Sequence, residues 1–484
     1  MKICRKITAV CLVFMMLLLC GGNALASDMT KQLWDTDWEN NSVEISAAVT
    51  MFPGSDENDI NIAWYSTSDE GYVLLTGENG KETINANSKK TAQGDYRLSA
   101  ELCDLPCGEY TYKCVSGDFE SESYSFTVKE SDTFTAVYVT DIHVGESDEE
   151  PYSVRDDAYN VSQTFSAAYN KAMLSGSAPS IIISSGDQAS SGLRSEYTGL
   201  SANEFMKSIP FAASIGNHDR KSVDYKYFTN MPNESWLINF KSYIGTDYWF
   251  RQGDVLFLMF DSNNTSMAGH RYFAMDAIRQ NKDCKWRVAV FHHDLYGGRI
   301  PHRESENALL RFLWAPMADE FGFDLCLLGH SHYYTMTNVL YNNKTVESIA
   351  DKASVTDPKG TIYMVSGSLN NPRDDTDEEG NEPPVGENIA YSYITEEMIY
   401  NLLTFSQDSI TISSYTVESD TLINTFTINK TDNKGGHRYF SPLSFLDGLV
   451  HFVTRIVNIV NNIGMYQDYK GQGHDVPFFE GIIG

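Results

Sequence analysis

Phe134-Thr135-Ala136-Val137-Tyr138-Val139 runs directly into Thr140-Asp141-Ile142-His143, a short apolar run that ends on a carboxylate and an imidazole one residue apart. The arrangement recurs four times. Ile181 to Ser184 leads to Gly186-Asp187, and Phe211 to Ile215 leads to Gly216-Asn217-His218-Asp219. Val288 to Phe291 leads to His292-His293, and Phe323 to Leu328 leads to Gly329-His330-Ser331-His332. Runs of this kind read as buried strands. In open α/β sheets the carboxyl ends of strands form the ligand crevice, so residues far apart in the chain can converge there. Between the runs lie helix-length amphipathic stretches, at Arg155 to Leu174, Ala202 to Ser208 and Arg271 to Gln280. Strand-helix alternation demands crossovers and an at least partly parallel sheet. Later strand-like runs at Ile362 to Val365, Leu402 to Phe405 and Ile410 to Val417 point to two mixed sheets packed together and flanked by helices.

The rest of the chain frames this unit. Its 484 residues exceed what one core usually fills, so more than one domain is expected. From 27 to 131 short alternating segments, Val43 to Val49, Ile60 to Tyr65, Tyr96 to Leu102, Glu109 to Val115 and Ser123 to Val128, are divided by turn residues. That spacing predicts an all-β sandwich of the fibronectin or immunoglobulin kind, ahead of a catalytic domain over 132–430. Residues 1–26 read as a signal peptide: Lys2, Arg5 and Lys6 precede an apolar core from Ile7 to Cys20, and Ala24-Leu25-Ala26 is an A-x-A cleavage site. Export follows, to a secreted or cell-surface location. The exported chain would keep Cys103, Cys107, Cys114, Cys284 and Cys326. The first three lie close enough for one local bridge, with a zinc site as the alternative, and Cys326 reads as a buried hydrophobe. The acidic stretch Arg373 to Pro384 reads as a solvated loop. In the tail, 431–484, Leu446, Leu449, Val450, Val453, Val457, Val460 and Ile463 line one face of an amphipathic helix, for docking on the protein's own surface, a membrane surface or a partner.

Taken singly, each polar motif is weak: Asp-x-His occurs by chance and Gly-Asp is a common turn. The ordered set at strand ends supplies enough oxygen and imidazole ligands for two metal ions, with a histidine left for acid-base work. Mixed N/O donors suit iron, manganese or zinc better than calcium. The set resembles the calcineurin-like metallophosphoesterase superfamily, whose pattern runs D-x-H, G-D, G-N-H-D/E, H and G-H-x-H. With the β-domain in front, the layout resembles a purple acid phosphatase. The resemblance implies that Asp141, His143 and His332 hold one metal, Asn217, His292 and His330 the second, and that Asp187 bridges them. It implies a hydroxide between the metals as nucleophile, and His218 as the group that stabilises the transition state or protonates the leaving group. Asp219 is expected to orient the His218 ring, and His302 is a second candidate acid. His292 and His293 compete for one ligand position, and the pattern favours His292. Ser190 stands where the purple enzymes carry a metal-bound tyrosine, and His143 where they have a small residue, so no tyrosinate colour is expected.

The expected function is hydrolysis of small phosphate mono- or diesters. A net charge of −29 argues against extended nucleic acid as substrate. The competing reading is a non-catalytic surface-binding protein with a vestigial metal site, which metal stoichiometry would separate from an enzyme.

Overall fold

Side chains leave a strand alternately on its two faces, and the central strands show both faces covered. In Val255–Met259, Phe257 and Met259 join one apolar cluster, while Leu256 and Leu258 join another. In Trp286–Val290, Trp286, Val288 and Val290 take the first side and Ala289 the second. The first cluster takes in side chains of two seven-stranded sheets, and the second joins one of those sheets to the helices Met267–Gln280 and Glu304–Phe321. The computed structural model describes residues 23–129, 132–147, 153–235, 246–297, 304–373 and 385–431. The apolar core of the expected signal peptide, His302, nearly all of the acidic stretch and the amphipathic tail lie outside the described residues.

Both large sheets are mixed, as expected. One runs in the order Phe211–Ala213, Ile181–Ser184, Phe134–Val139, Ile399–Phe405, Ser409–Thr416, Leu422–Asn429, Ser354–Thr356. Its first three strands are mutually parallel, and Ile399–Phe405 joins antiparallel. In the other sheet Val255–Met259, Trp286–Val290, Leu325–Leu328 and Ile362–Val365 are parallel, with antiparallel strands outside them. All five motif-bearing strands therefore belong to parallel sets, and their carboxyl ends can gather on one side of each sheet.

Residues 50–128 form two antiparallel sheets around a core that includes Trp64, Tyr112 and Phe126. Two expectations fail here. Val43 to Val49 is not a strand: Ser42–Ala47 is a helix, Ala48 turns left-handed at φ 47°, and the strand begins at Thr50. Val43 is 71% exposed, so its alternation with Ile45 and Ala47 marks no buried sheet face. Nor does Cys114 join a local bridge with Cys103 or Cys107, because it points into the sandwich core whereas those two are on the surface. Cys326 is buried, as its apolar strand predicts. Ahead of these elements a helix, Asn23–Asn40, runs through the expected cleavage site and reaches the catalytic unit: Trp34 Nε1 donates to Arg155 O at 3.0 Å. Among the described residues no helix is long and apolar enough to cross a membrane.

The sandwich shares a core with the catalytic unit. Every residue of the strand Ile60–Ser66 is buried. Ile62 and Trp64 face the sandwich interior, whereas Ala63 and Tyr65, with Phe52, join the large catalytic cluster. Phe52 meets Phe228 edge-on, with ring centroids 5.7 Å apart. The strand Thr50–Pro53 lies against Phe211–Ala213, the terminal strand of the first large sheet. Polar groups complete the seam. Arg97, buried, donates to Ala48 O and to Phe228 O, and both its guanidinium and that of Arg194, which pairs with Asp95, lie over the Tyr65 ring. Phe52→Ala should cost about 3–5 kcal/mol and shift a single denaturant transition seen by all probes. Separate sandwich and catalytic transitions, with only one displaced, would contradict a shared core.

Candidate metal centre

Three of the five motifs leave their strands through turns that most residues avoid. Asp141, His143, Asp187, His330 and His332 all have left-handed backbone, with φ of 48°, 49°, 54°, 74° and 61°. Asp and His tolerate this region better than β-branched residues do, yet its recurrence at one site means the surroundings enforce it. Hydrogen bonds supply the enforcement. His330 N donates to both carboxylate oxygens of Asp141, at 3.1 and 2.8 Å, and His218 N donates to Asp187 Oδ1 at 2.7 Å. Ser368 Oγ and Leu369 N both donate to Asp141 O. The motif glycines are there for space: a Cβ on Gly216 would stand 2.0 Å from Asp187 Oδ1, and one on Gly329 2.1 Å from Thr140 Oγ1.

The turns bring all seven expected ligands together. Candidate ligand atoms of Asp141, His143 and His332 lie within 4.8 Å of one another, and so do those of Asp187, His292 and His330. A third group, His143, Asp187 and His218, links the two. Asn217 Oδ1 is 2.9 Å from His292 Nε2. Imidazole nitrogens face each other across the centre, His143 Nε2 to His332 Nε2 at 3.2 Å and His330 Nδ1 to His292 Nε2 at 3.2 Å. Nitrogens so placed share a proton or a cation. The Nδ1 atoms of His143 and His292 are buried without a hydrogen-bond partner. Two buried carboxylates, converging imidazoles and an amide oxygen are a donor set that fits borderline transition-metal cations.

The electrostatics agree. Burial works to raise the Asp141 and Asp187 carboxyls, but the surrounding imidazoles, led by His332 for Asp141 and His292 for Asp187, hold both well below the usual carboxylate range. Burial works to lower His292, and the Asp187 charge overrides it, pushing the ring up to about 9. His143 goes the other way, to about 4, because burial outweighs Asp187 and Asp141. Ligand nitrogens must be deprotonated to bind a metal, so loading this site displaces protons.

His218 is half-buried, and its Nδ1 lies 2.6 Å from Ser190 O. The expected orienting group, Asp219, turns the other way. Its buried carboxylate accepts from the backbone N–H groups of Gln188, Ala189 and Gly216 and from Tyr197 Oη, so it braces the Gly-Asp turn. Burial, then the Asp187 charge, raises Asp219 to about 7. His293 joins none of these ligand groups: its Nδ1 is 2.8 Å from Ser262 Oγ and its ring packs 4.8 Å from that of His330, whereas His292 Nε2 is 3.1 Å from Asp187 Oδ2. Ser190 Oγ does not enter the cluster but donates to Glu146 Oε2.

Sequence reading missed four neighbours. Lys221 Nζ lies 2.9 Å from both Ser190 O and His218 Nδ1, placing a cation beside that ring. Asn371 O faces His332 Nδ1 at 2.7 Å. Glu146 touches Ser190, and Asp157 holds the Glu146 turn. Only Lys221, two residues past the third motif, carried a signal in its proximity.

Residues 134–334 match the family model of calcineurin-like phosphoesterases. Among solved structures the chain is similar to a purple acid phosphatase from seeds of yellow lupin (Lupinus luteus), with a TM-score of 0.65 and 14% identity over 82% of this chain and 77% of that one. It is also similar to PhoD, with a TM-score of 0.49 and 9% identity over 86% of this chain and 98% of the other. The first likeness shows the fold. No curated protein matches the chain.

Two substitutions test this geometry. Gly216→Ala should abolish metal binding, because its Cβ meets the Asp187 backbone nitrogen at 2.2 Å as well as the carboxylate. His292→Ala should lose metal while His293→Ala retains it, read by elemental analysis; the reverse pattern would move the ligand position to His293.

Proposed function

We propose that this chain is an exported phosphoesterase that holds two metal ions and hydrolyses small phosphate mono- or diesters. The observation that carries the reading is the pair of ligand groups joined through Asp187. Asp141, His143 and His332 would hold one ion, Asn217, His292 and His330 the other, and Asp187 would contact both. Bound there, iron, manganese or zinc ions would supply Lewis-acid charge to the phosphoryl oxygens and lower the pKa of water. The protein's own part is positional. Left-handed turns locked by backbone hydrogen bonds hold the donors in place, so little reorganisation accompanies the charge that develops in the transition state.

His218 is the candidate acid. With Nδ1–H donated to the Ser190 carbonyl, the ring can carry a second proton on Nε2 and deliver it to a departing alkoxide. Lys221 beside it adds positive charge where a leaving oxygen would gain negative charge. Asp219, braced into the turn, would act through Asp187 and Gly216 and not through His218. The division into a signal over 1–26, a sandwich to 131 and a catalytic unit from 132 to 430 belongs to the same proposal. Its support is the basic and apolar leader and the change from antiparallel to parallel pairing.

The metal-reconstituted protein should carry about two ions and cleave a chromogenic monoester or diester, lose the activity to a chelator and regain it with metal. His218→Ala should keep the ions and lower kcat by roughly 100- to 10,000-fold. A doubly loaded protein inert toward both substrate types would sink the proposal, and one that takes up no metal would favour a surface-binding role.

A further inference from the structure

Glu146 belongs to none of the five motifs. It sits three residues beyond His143, on a turn that Asp157 fixes: Asp157 Oδ2 accepts from the N–H groups of Gly145, Glu146 and Ser147 at 2.8, 2.8 and 3.2 Å. From this turn its two carboxylate oxygens engage different loops. Oε2 accepts from Ser190 Oγ, and Oε1 accepts from Asn371 Nδ2 at 2.8 Å.

Each of those partners carries one imidazole on its backbone carbonyl. Ser190 O faces His218 Nδ1 at 2.6 Å, and Asn371 O faces His332 Nδ1 at 2.7 Å. A third ring, His143, presents its buried and otherwise unpartnered Nδ1 3.9 Å from Glu146 Oε2. A histidine that offers Nε2 to a cation carries its proton on Nδ1, and such ligands usually give that proton to a carboxylate or a carbonyl. Glu146 is the carboxylate nearest that nitrogen and also ties down the two carbonyls that take the corresponding protons of His218 and His332.

We propose that Glu146 is the positioning residue for this half of the centre, linking His143, His218 and His332 through one carboxylate. The inference rests on the metallophosphoesterase reading above. It also gives Ser190 a purpose: in place of a tyrosine that would bind metal, its hydroxyl anchors Glu146 while its carbonyl holds His218.

The test uses the full chain and titrates it with zinc or manganese, reading metal stoichiometry and affinity as well as kcat. Glu146→Ala should weaken the ion held by Asp141, His143 and His332 by about 10- to 100-fold and leave the other ion in place. Glu146→Gln should recover most of that loss, since its amide oxygen can still accept from Asn371 and its NH2 group can donate to a rotated Ser190 hydroxyl. Ser190→Ala should fall between them, and Ser190→Ala with Glu146→Ala should be no worse than Glu146→Ala alone. If Glu146→Ala does not fold, the Gln and Ser190 variants carry the test. Wild-type affinity at both ions in Glu146→Ala, equal weakening of both ions, or fully additive effects would overturn the proposal. A wild-type protein that binds no metal overturns the underlying reading instead, so the two failures are distinguishable.

Discussion

Two carboxylates, Asp141 and Asp187, are buried to within 1% of full enclosure in the same small volume, and the centre is organised around that burden. Buried charge is tolerated only when it is paired and hydrogen-bonded. Here the pairing comes from His143 and from imidazoles on two further strand ends, and the hydrogen bonds from the backbone N–H groups of His218 and His330. The unusual backbone at five of the seven positions follows, because only tightly bent turns aim N–H groups and side chains at the same two carboxylates. Gly216 and Gly329 follow as well, since the approach leaves no room for a Cβ.

The sheets and the ligand cluster were legible because each of their signals is local. A buried parallel strand is apolar at every position, and the residues just past its end are those that reach the crevice. The misreadings arose where sequence adjacency stood in for contact. Asp219 follows His218 directly, but the chain bends into a short 3-10 turn there and sends the two side chains to opposite sides. Glu146 was invisible for the converse reason. Its partners, Ser190 and Asn371, are 44 and 225 residues away, and only the Asp157 turn brings them within reach.

The early helices illustrate a different limit. Ser42–Ala47 alternates like a strand, and Asn23–Asn40 shows no convincing apolar stripe, so neither had a local signature strong enough to read. Their conformation is settled by what they pack against, including the Trp34 contact with Arg155 and the edge-on packing of Trp34 against Tyr159.

The seam between the sandwich and the catalytic unit joins two strands that each end a sheet, Thr50–Pro53 and Phe211–Ala213. An uncovered terminal strand presents unpaired backbone groups that recruit other chains. The two strands lie against each other at the seam, so separating the units would uncover both, together with the apolar side chains of Phe52, Ala63 and Tyr65. The sandwich, which contributes no ligand to the centre, thus covers a surface of the other unit that would otherwise be open to association.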